Sequence, residues 1–202
     1  MSIFVVRHGE TELNTARIVQ LPGTPLSTRG IAQAERVAQR LARAGIARIL
    51  SSDLARAAMT ASRIANATGL PVEHDALLRE RDFGAIRGTP YAELDRDIFA
   101  PGYVPPEGES WEDFRARVAH AWERITRTAA ATDGHLAVVT HGLVCHVIAE
   151  RHARCDAPPP ESWPNTSVTE IDAAAPWTVR VLNCVAHLEP DGDDNARKGG
   201  RA

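Results

Sequence analysis

The sequence is poor in lysine, cysteine, net charge and long apolar runs, and each shortage removes a class of function. Lys198 is the only lysine among 23 basic residues, which face 26 acidic ones for a formal charge of −3. There is no basic field to attract nucleic acid and no acidic tract to attract a basic partner. The cysteines, Cys145, Cys155 and Cys184, are odd in number and follow no metal-binding spacing. They read as buried reduced thiols of a cytoplasmic protein, not as a disulfide framework. No stretch approaches the roughly 18 apolar residues of a membrane span, and the chain enters a strand without a basic, apolar leader. A cytoplasmic protein that engages neither nucleic acid nor membrane is expected.

What is present is a regular alternation. At 202 residues the chain suits one domain that buries roughly 70% of its unfolded surface. Ile3 to Val6, "IARILSS" and "HLAVVTHG" are short, β-branched apolar runs that read as buried strands. Between them, Ile31, Ala34, Val37, Ala38 and Leu41 recur at helical spacing, and "DLARAAMTASRIANATG" reads as a second helix closing at Gly69. "ESWEDFRARVAHAWERITRTAA" is a long helix whose Trp and Phe residues belong to the core, and "LVCHVIAERH" is a further helix. "SVTEIDA" and "WTVRVLNCV" are two late strands separated by a turn at Ala174 to Pro176. Strands alternating with helices predict an α/β three-layer sandwich with a mostly parallel central sheet flanked by helices. One domain over 1–189 is expected, followed by a polar, Gly-rich, disordered tail over 190–202.

Chemistry gathers at three strand ends. Arg7-His8-Gly9 follows the first strand, "SSDLAR" with Arg56 the second, and His141-Gly142 the third. Carboxyl ends of parallel strands share one edge, where ligands bind. Each cluster also opens or soon precedes a helix, whose free N–H groups would face that edge. Two histidines, two arginines and helix N-termini in one place suit an oxygen-rich anion such as phosphate.

The segments "RHGETELN", "SSDLARAAMTA", "LLRERDFGAIRG", "PPEGESWEDFRAR", "VVTHG" and "NTSVTEI", taken in order, resemble the phosphoglycerate mutase-like branch 1 of the histidine phosphatase superfamily. The resemblance runs from Ile3 to about Leu188. It implies that His8 is the nucleophile that accepts a phosphoryl group and that Glu80 is the general acid and base. It makes Arg7, Arg56 and His141 the clamp on the phosphate, with Asn14 and the Gly142 backbone as further contacts. The loop "RIVQLPGTPLS" departs from the family pattern, placing Gln20 near a usual glycine and Gly23 near a usual aspartate. Gln20 could offer its amide to the phosphate in compensation.

The chemistry is coherent without the resemblance. Arginines beside His8 should lower its pKa and keep the imidazole nucleophilic. They also neutralise the non-bridging oxygens during transfer, so neither a metal nor another cofactor is expected. Each residue alone has an ordinary alternative: a structural histidine, a solvated arginine, a surface carboxylate at Glu80, a turn cap at Asn14. His146, His152 and His187 lack such company and read as structural or surface groups. The expected activity is hydrolysis of a phosphate monoester, with a small-molecule ester as partner and a phosphoprotein as the alternative. A phosphoglycerate mutase and a non-catalytic phosphate-binding module are the competing functions. The segment from Thr89 to Glu109 carries Arg96 as its only cation and no lysine, which speaks against the mutase.

Overall fold

The computed structural model describes residues 1–189, so the tail expected over 190–202 lies outside the described residues. Six strands form one sheet in the order β3-β2-β4-β1-β5-β6. They are β1 (Ser2–Arg7), β2 (Ile46–Ser51), β3 (Val72–His74), β4 (His135–Thr140), β5 (Val168–Asp172) and β6 (Val179–Cys184). The pairs β3–β2, β2–β4 and β4–β1 are parallel, whereas β5 and β6 are antiparallel additions at one side.

The middles of the inner strands β1 and β4 are apolar because both faces are covered, while β2 carries the half-buried Arg48. Ile3 and Val5 of β1 face one helical layer, formed by α4 (Trp111–Ala130) and α5 (Gly142–Arg151). Phe4 and Val6 face the other, formed by α2 (Thr28–Arg43) and α3 (Ala55–Thr68). The periodicity of α2 explains its orientation, since Ala34, Val37, Ala38 and Leu41 are buried while arginines and Gln39 lie between them. Leu41 is completely buried, which contributes roughly 1.5–3 kcal/mol relative to exposure.

Helix ends are fixed locally. Ser27 caps α2 by accepting from the Gly30 amide, and Ser110 caps α4 by accepting from Asp113. Gly69 closes α3 in the left-handed conformation at φ 73°, as a C-terminal glycine should. One glycine pair is needed for another reason. A side chain on Gly9 would come 2.6 Å from the Gly30 carbonyl oxygen, and one on Gly30 would come 2.0 Å from that of Glu10. The loop behind His8 therefore lies directly on the first turn of α2.

Two expectations are corrected, and two short elements are added. The strand β3 was not expected, nor was the single turn α1 (Glu12–Thr15). Of the cysteines only Cys145 is buried, while Cys155 and Cys184 are half-buried; all three are free. Phe114 and Trp122 belong to the core as expected, but Trp111, in the first turn of α4, is half-buried and lines a large cavity. Among the described residues no helix is long and apolar enough to cross a membrane.

Candidate active site

A cavity of about 1130 Å³ opens at the carboxyl ends of the parallel strands. His8, just past β1, has its Nδ1 2.7 Å from the carbonyl oxygen of Gly9. A carbonyl can only accept, so Nδ1 carries the proton and Nε2 keeps its lone pair. Arg56, in the first turn of α3, places Nε 3.3 Å from that same Nε2. The nitrogen with the free electron pair thus lies beside a cation.

His141 sits at the N-terminus of α5, with its ring centroid 5.2 Å from that of His8. Its Nε2 is 2.8 Å from Ser52 Oγ, the residue just past β2, and its Nδ1 is buried without a partner. Arg7, the last residue of β1, donates through Nη1 to the Trp163 carbonyl, while its Nε is buried and unpartnered. Buried polar atoms are nearly always satisfied, so Arg7, which lines the cavity and whose Nε has no partner among the described residues, is open to a further acceptor there.

Electrostatics follow from burial. The His8 and His141 imidazoles are held well below the usual histidine range, first by burial and then by the Arg56 and Arg7 charges. Burial pulls the Arg56 guanidinium down to about 10, which leaves it cationic near neutrality. Burial pushes the Glu80 carboxyl up, against the opposing pull of Arg56, two backbone amides and Arg7. Those amides belong to Leu143, 3.3 Å from Oε2, and Arg81, 3.1 Å from Oε1. Glu80 is thereby tied to the N-terminus of α5, beside His141 and Gly142.

Arg7, His8, Arg56 and Glu80 line the cavity, as do the other expected residues, whereas His141 is completely buried and is not part of the wall. Asn14 Oδ1 accepts from the Thr11 amide and from Asn165 Nδ2, so its own Nδ2 is unpaired among the described residues. Asn14 is therefore a turn cap and a cavity wall together. Gln20 accepts from Thr11 Oγ1 through Oε1 and lines the wall. Gly142 lines it as well. Of the histidines expected to be structural, His146 lines the cavity, whereas His152 stacks on Trp122 and His187 meets Arg40 and Thr166.

Several supporting residues escaped the sequence reading. Asn165 Nδ2 donates to the His8 carbonyl as well as to Asn14. Thr60 accepts from the Gly9 amide, holding the turn after His8. Arg117, on α4, binds both Glu109 carboxylate oxygens at 2.8 Å and donates to the carbonyls of Leu77, Arg79 and Glu80. "NTS" was visible as a motif, but no sequence signal distinguishes Arg117 from the other arginines of its helix.

Comparison with known proteins points the same way as the geometry. Residues 3–184 match the histidine phosphatase superfamily, branch 1. A probable phosphoglycerate mutase of Serratia proteamaculans is 30% identical, over 98% of this chain and 100% of that one. Among solved structures, mycobacterial glucosyl-3-phosphoglycerate phosphatase in complex with VO3 is similar with a TM-score of 0.78 at 26% identity, covering 91% of this chain and 99% of that one. Bacillus stearothermophilus YhfR is similar with a TM-score of 0.79 at 28% identity, covering 93% and 99%.

Proposed function

The chain belongs to branch 1 of the histidine phosphatase superfamily, and from that premise we propose that it hydrolyses phosphate monoesters through a phosphohistidine on His8. The observation that carries this reading is the fixed tautomer of His8. With its proton held against Gly9, 2.7 Å away, Nε2 is the free nucleophile and stands beside Arg56.

In the first step Nε2 attacks phosphorus and the ester P–O bond breaks. Glu80 gives its proton to the departing oxygen, a role that suits a carboxyl whose pKa burial has raised. The products are an alcohol, a Glu80 carboxylate and phosphohistidine, whose positive ring is stabilised by the Nδ1–H bond to Gly9. In the second step Glu80 takes a proton from water as its oxygen attacks phosphorus. The P–N bond breaks, inorganic phosphate leaves, and both residues return to their starting states. Arg7, Arg56 and His141 hold the non-bridging oxygens while charge redistributes, the main electrostatic demand of the reaction. Asn14, Gln20 and the Gly142 amide are assigned as further phosphate contacts.

The mutase is the second reading, because curated relatives at 30% identity, from Serratia and Yersinia, are probable phosphoglycerate mutases. A mutase must hold a substrate carboxylate and exclude water from the phosphoenzyme. The segment from Thr89 to Glu109 has one cation, Arg96, which is exposed, so hydrolysis is favoured. Rapid quenching with radiolabelled ester should give an acid-labile, base-stable phosphoprotein that His8→Ala abolishes. Label persisting in His8→Ala, or an acid-stable phosphoester, would refute the nucleophile. Efficient interconversion of 3- and 2-phosphoglycerate, outpacing phosphate release from any ester, would replace the hydrolase with the mutase.

A further inference from the structure

The cavity is far larger than a phosphoryl group needs, and its outer part differs sharply from the inner part. At about 1130 Å³ it reaches the upper range of pockets that take drug-sized organic molecules. The space beyond the phosphate must therefore belong to the leaving group of the ester.

That space offers little to a second anion. Arg79 is paired with both carboxylate oxygens of Asp53, and Arg87 with Asp82. Arg81 spends Nε, Nη1 and Nη2 on the carbonyls of Glu109, Ile98 and Tyr103. Arg117 is committed to Glu109. Beyond Arg7, Arg56 and Glu80, the wall holds six carboxylates against five guanidiniums. Only Arg115 has neither an acid nor a carbonyl partner among the described residues; its Nε is buried and unpartnered, so it is the one group of this outer wall open to a second anion, and it lies over the Trp111 ring, 5.3 Å from its centroid.

The outer wall offers rings instead. Phe99 packs edge-on against Phe83 at 6.2 Å and against Tyr91 at 6.1 Å. Tyr91 lines the same cavity as Arg7, His8 and Arg56. Among the described residues the exposed large hydrophobics are Met1, Leu21, Phe99 and Val104. Three of these four belong to the two segments that rim the cavity, around Gln20–Pro22 and Phe99–Glu107. Of these, Phe99 lines the cavity itself, where with Phe83 and Tyr91 it forms a ring-bearing stretch of wall, part of it in water.

Building on the hydrolase reading above, we infer that the ester's leaving group is an uncharged, ring-bearing alcohol that lies against Phe83, Tyr91 and Phe99, and not a hydroxy acid or a bisphosphate. The test compares phosphate release from 2-naphthylmethyl phosphate, glycerol 2-phosphate and 3-phosphoglycerate. All three expel an alcohol, so differences report binding of the leaving group more than its basicity. kcat/KM should be at least 10-fold higher for the naphthylmethyl ester than for 3-phosphoglycerate. Phe99→Ala should lower that value at least fivefold, mainly through KM, and Phe99→Trp should retain it. Phe99 is 47% exposed, so neither change should threaten folding. A preference for 3-phosphoglycerate, lost in Arg115→Ala, would overturn the inference and leave the hydrolase reading intact. A naphthylmethyl preference indifferent to Phe99→Ala would overturn it too. Absence of phosphate release from every ester would remove the hydrolase reading and this inference together.

Discussion

Replacing Arg117 tests whether Glu80 is held in place by a cavity residue whose guanidinium is spent on Glu109 and on backbone carbonyls. Its guanidinium makes two bonds to Glu109 at 2.8 Å, bonds to the Leu77 and Arg79 carbonyls at 2.8 Å, and one to the Glu80 carbonyl at 3.2 Å. The ion pair is well shielded, with side chains 20% and 15% exposed. Arg117→Met leaves Glu109 and three carbonyls without their partner. Removing one member of a largely buried pair costs roughly 3–5 kcal/mol; with partial exposure the low end applies here. At about 2–4 °C per kcal/mol for a chain of this size, Tm should fall by roughly 6–12 °C. The rate should fall further than stability alone requires. A displacement of about 1 Å at a reacting group costs on the order of 100-fold, and the carbonyl of Glu80 is itself a ligand of Arg117. KM should change little, because Arg7, Arg56 and His141 come from other elements. Arg124→Met is the comparator: Arg124 lies on α4 as well and pairs with Asp75 at 2.5 Å and with Glu73 at 3.7 Å, and its loss should cost stability with a much smaller loss of kcat. The assay is steady-state kinetics beside thermal denaturation, at a temperature where every variant is folded. Wild-type kcat in Arg117→Met, or equal kcat losses in both variants, would refute the positioning role.

Three further outcomes are expected. Glu80→Gln should slow turnover by roughly 100-fold or more. In the wild type, activity should fall as pH rises through the raised Glu80 pKa, since the acid form is the proton donor, and that limb should vanish in Glu80→Gln. The low-pH limb should lie well below the usual histidine range, because His8 resists protonation. EDTA should leave the rate unchanged while vanadate inhibits as a mimic of the five-coordinate transition state; activity lost on chelation and restored by a divalent cation would contradict the site chemistry. Gly30→Ala should destabilise the fold and disturb His8, since the added methyl would overlap the Glu10 carbonyl at 2.0 Å; an unchanged Tm and kcat would show that the loop adapts freely.

The parts of the fold that a sequence reveals are those with a strong period or a continuous apolar run. The strands β1, β2 and β4 and the helices α2 to α5 were legible because both faces of the sheet and one face of each helix are buried. The strand β3 was not, because "VEH" is three residues long, charged, and only half-buried at the sheet edge. The gathering of His8, Arg56 and His141 was legible from a rule of topology, that parallel strands end at a common edge. The groups that orient them were not. Ser52, Thr60, Asn165 and Arg117 are common polar residues whose partners lie up to 157 positions away. Trp111 reads as core because its spacing fits the helix stripe; only the end of α4 at the cavity shows otherwise.

The placement of Glu80 has a consequence for how the enzyme can change over time. His8 and His141 directly follow the strands β1 and β4, and Arg56 stands in the first turn of α3 behind β2. Glu80 instead belongs to the long excursion between β3 and α4, the same stretch that supplies Phe83, Tyr91 and Phe99. On the proposed mechanism, the proton donor and the leaving-group surface thus belong to one continuous segment. An ester that fits the excursion badly also meets a displaced acid, so selectivity is expressed in the chemical step as well as in binding. Exchange of residues 76–110 between relatives would transplant preference and proton delivery jointly, while the phosphate cradle stayed behind as a constant.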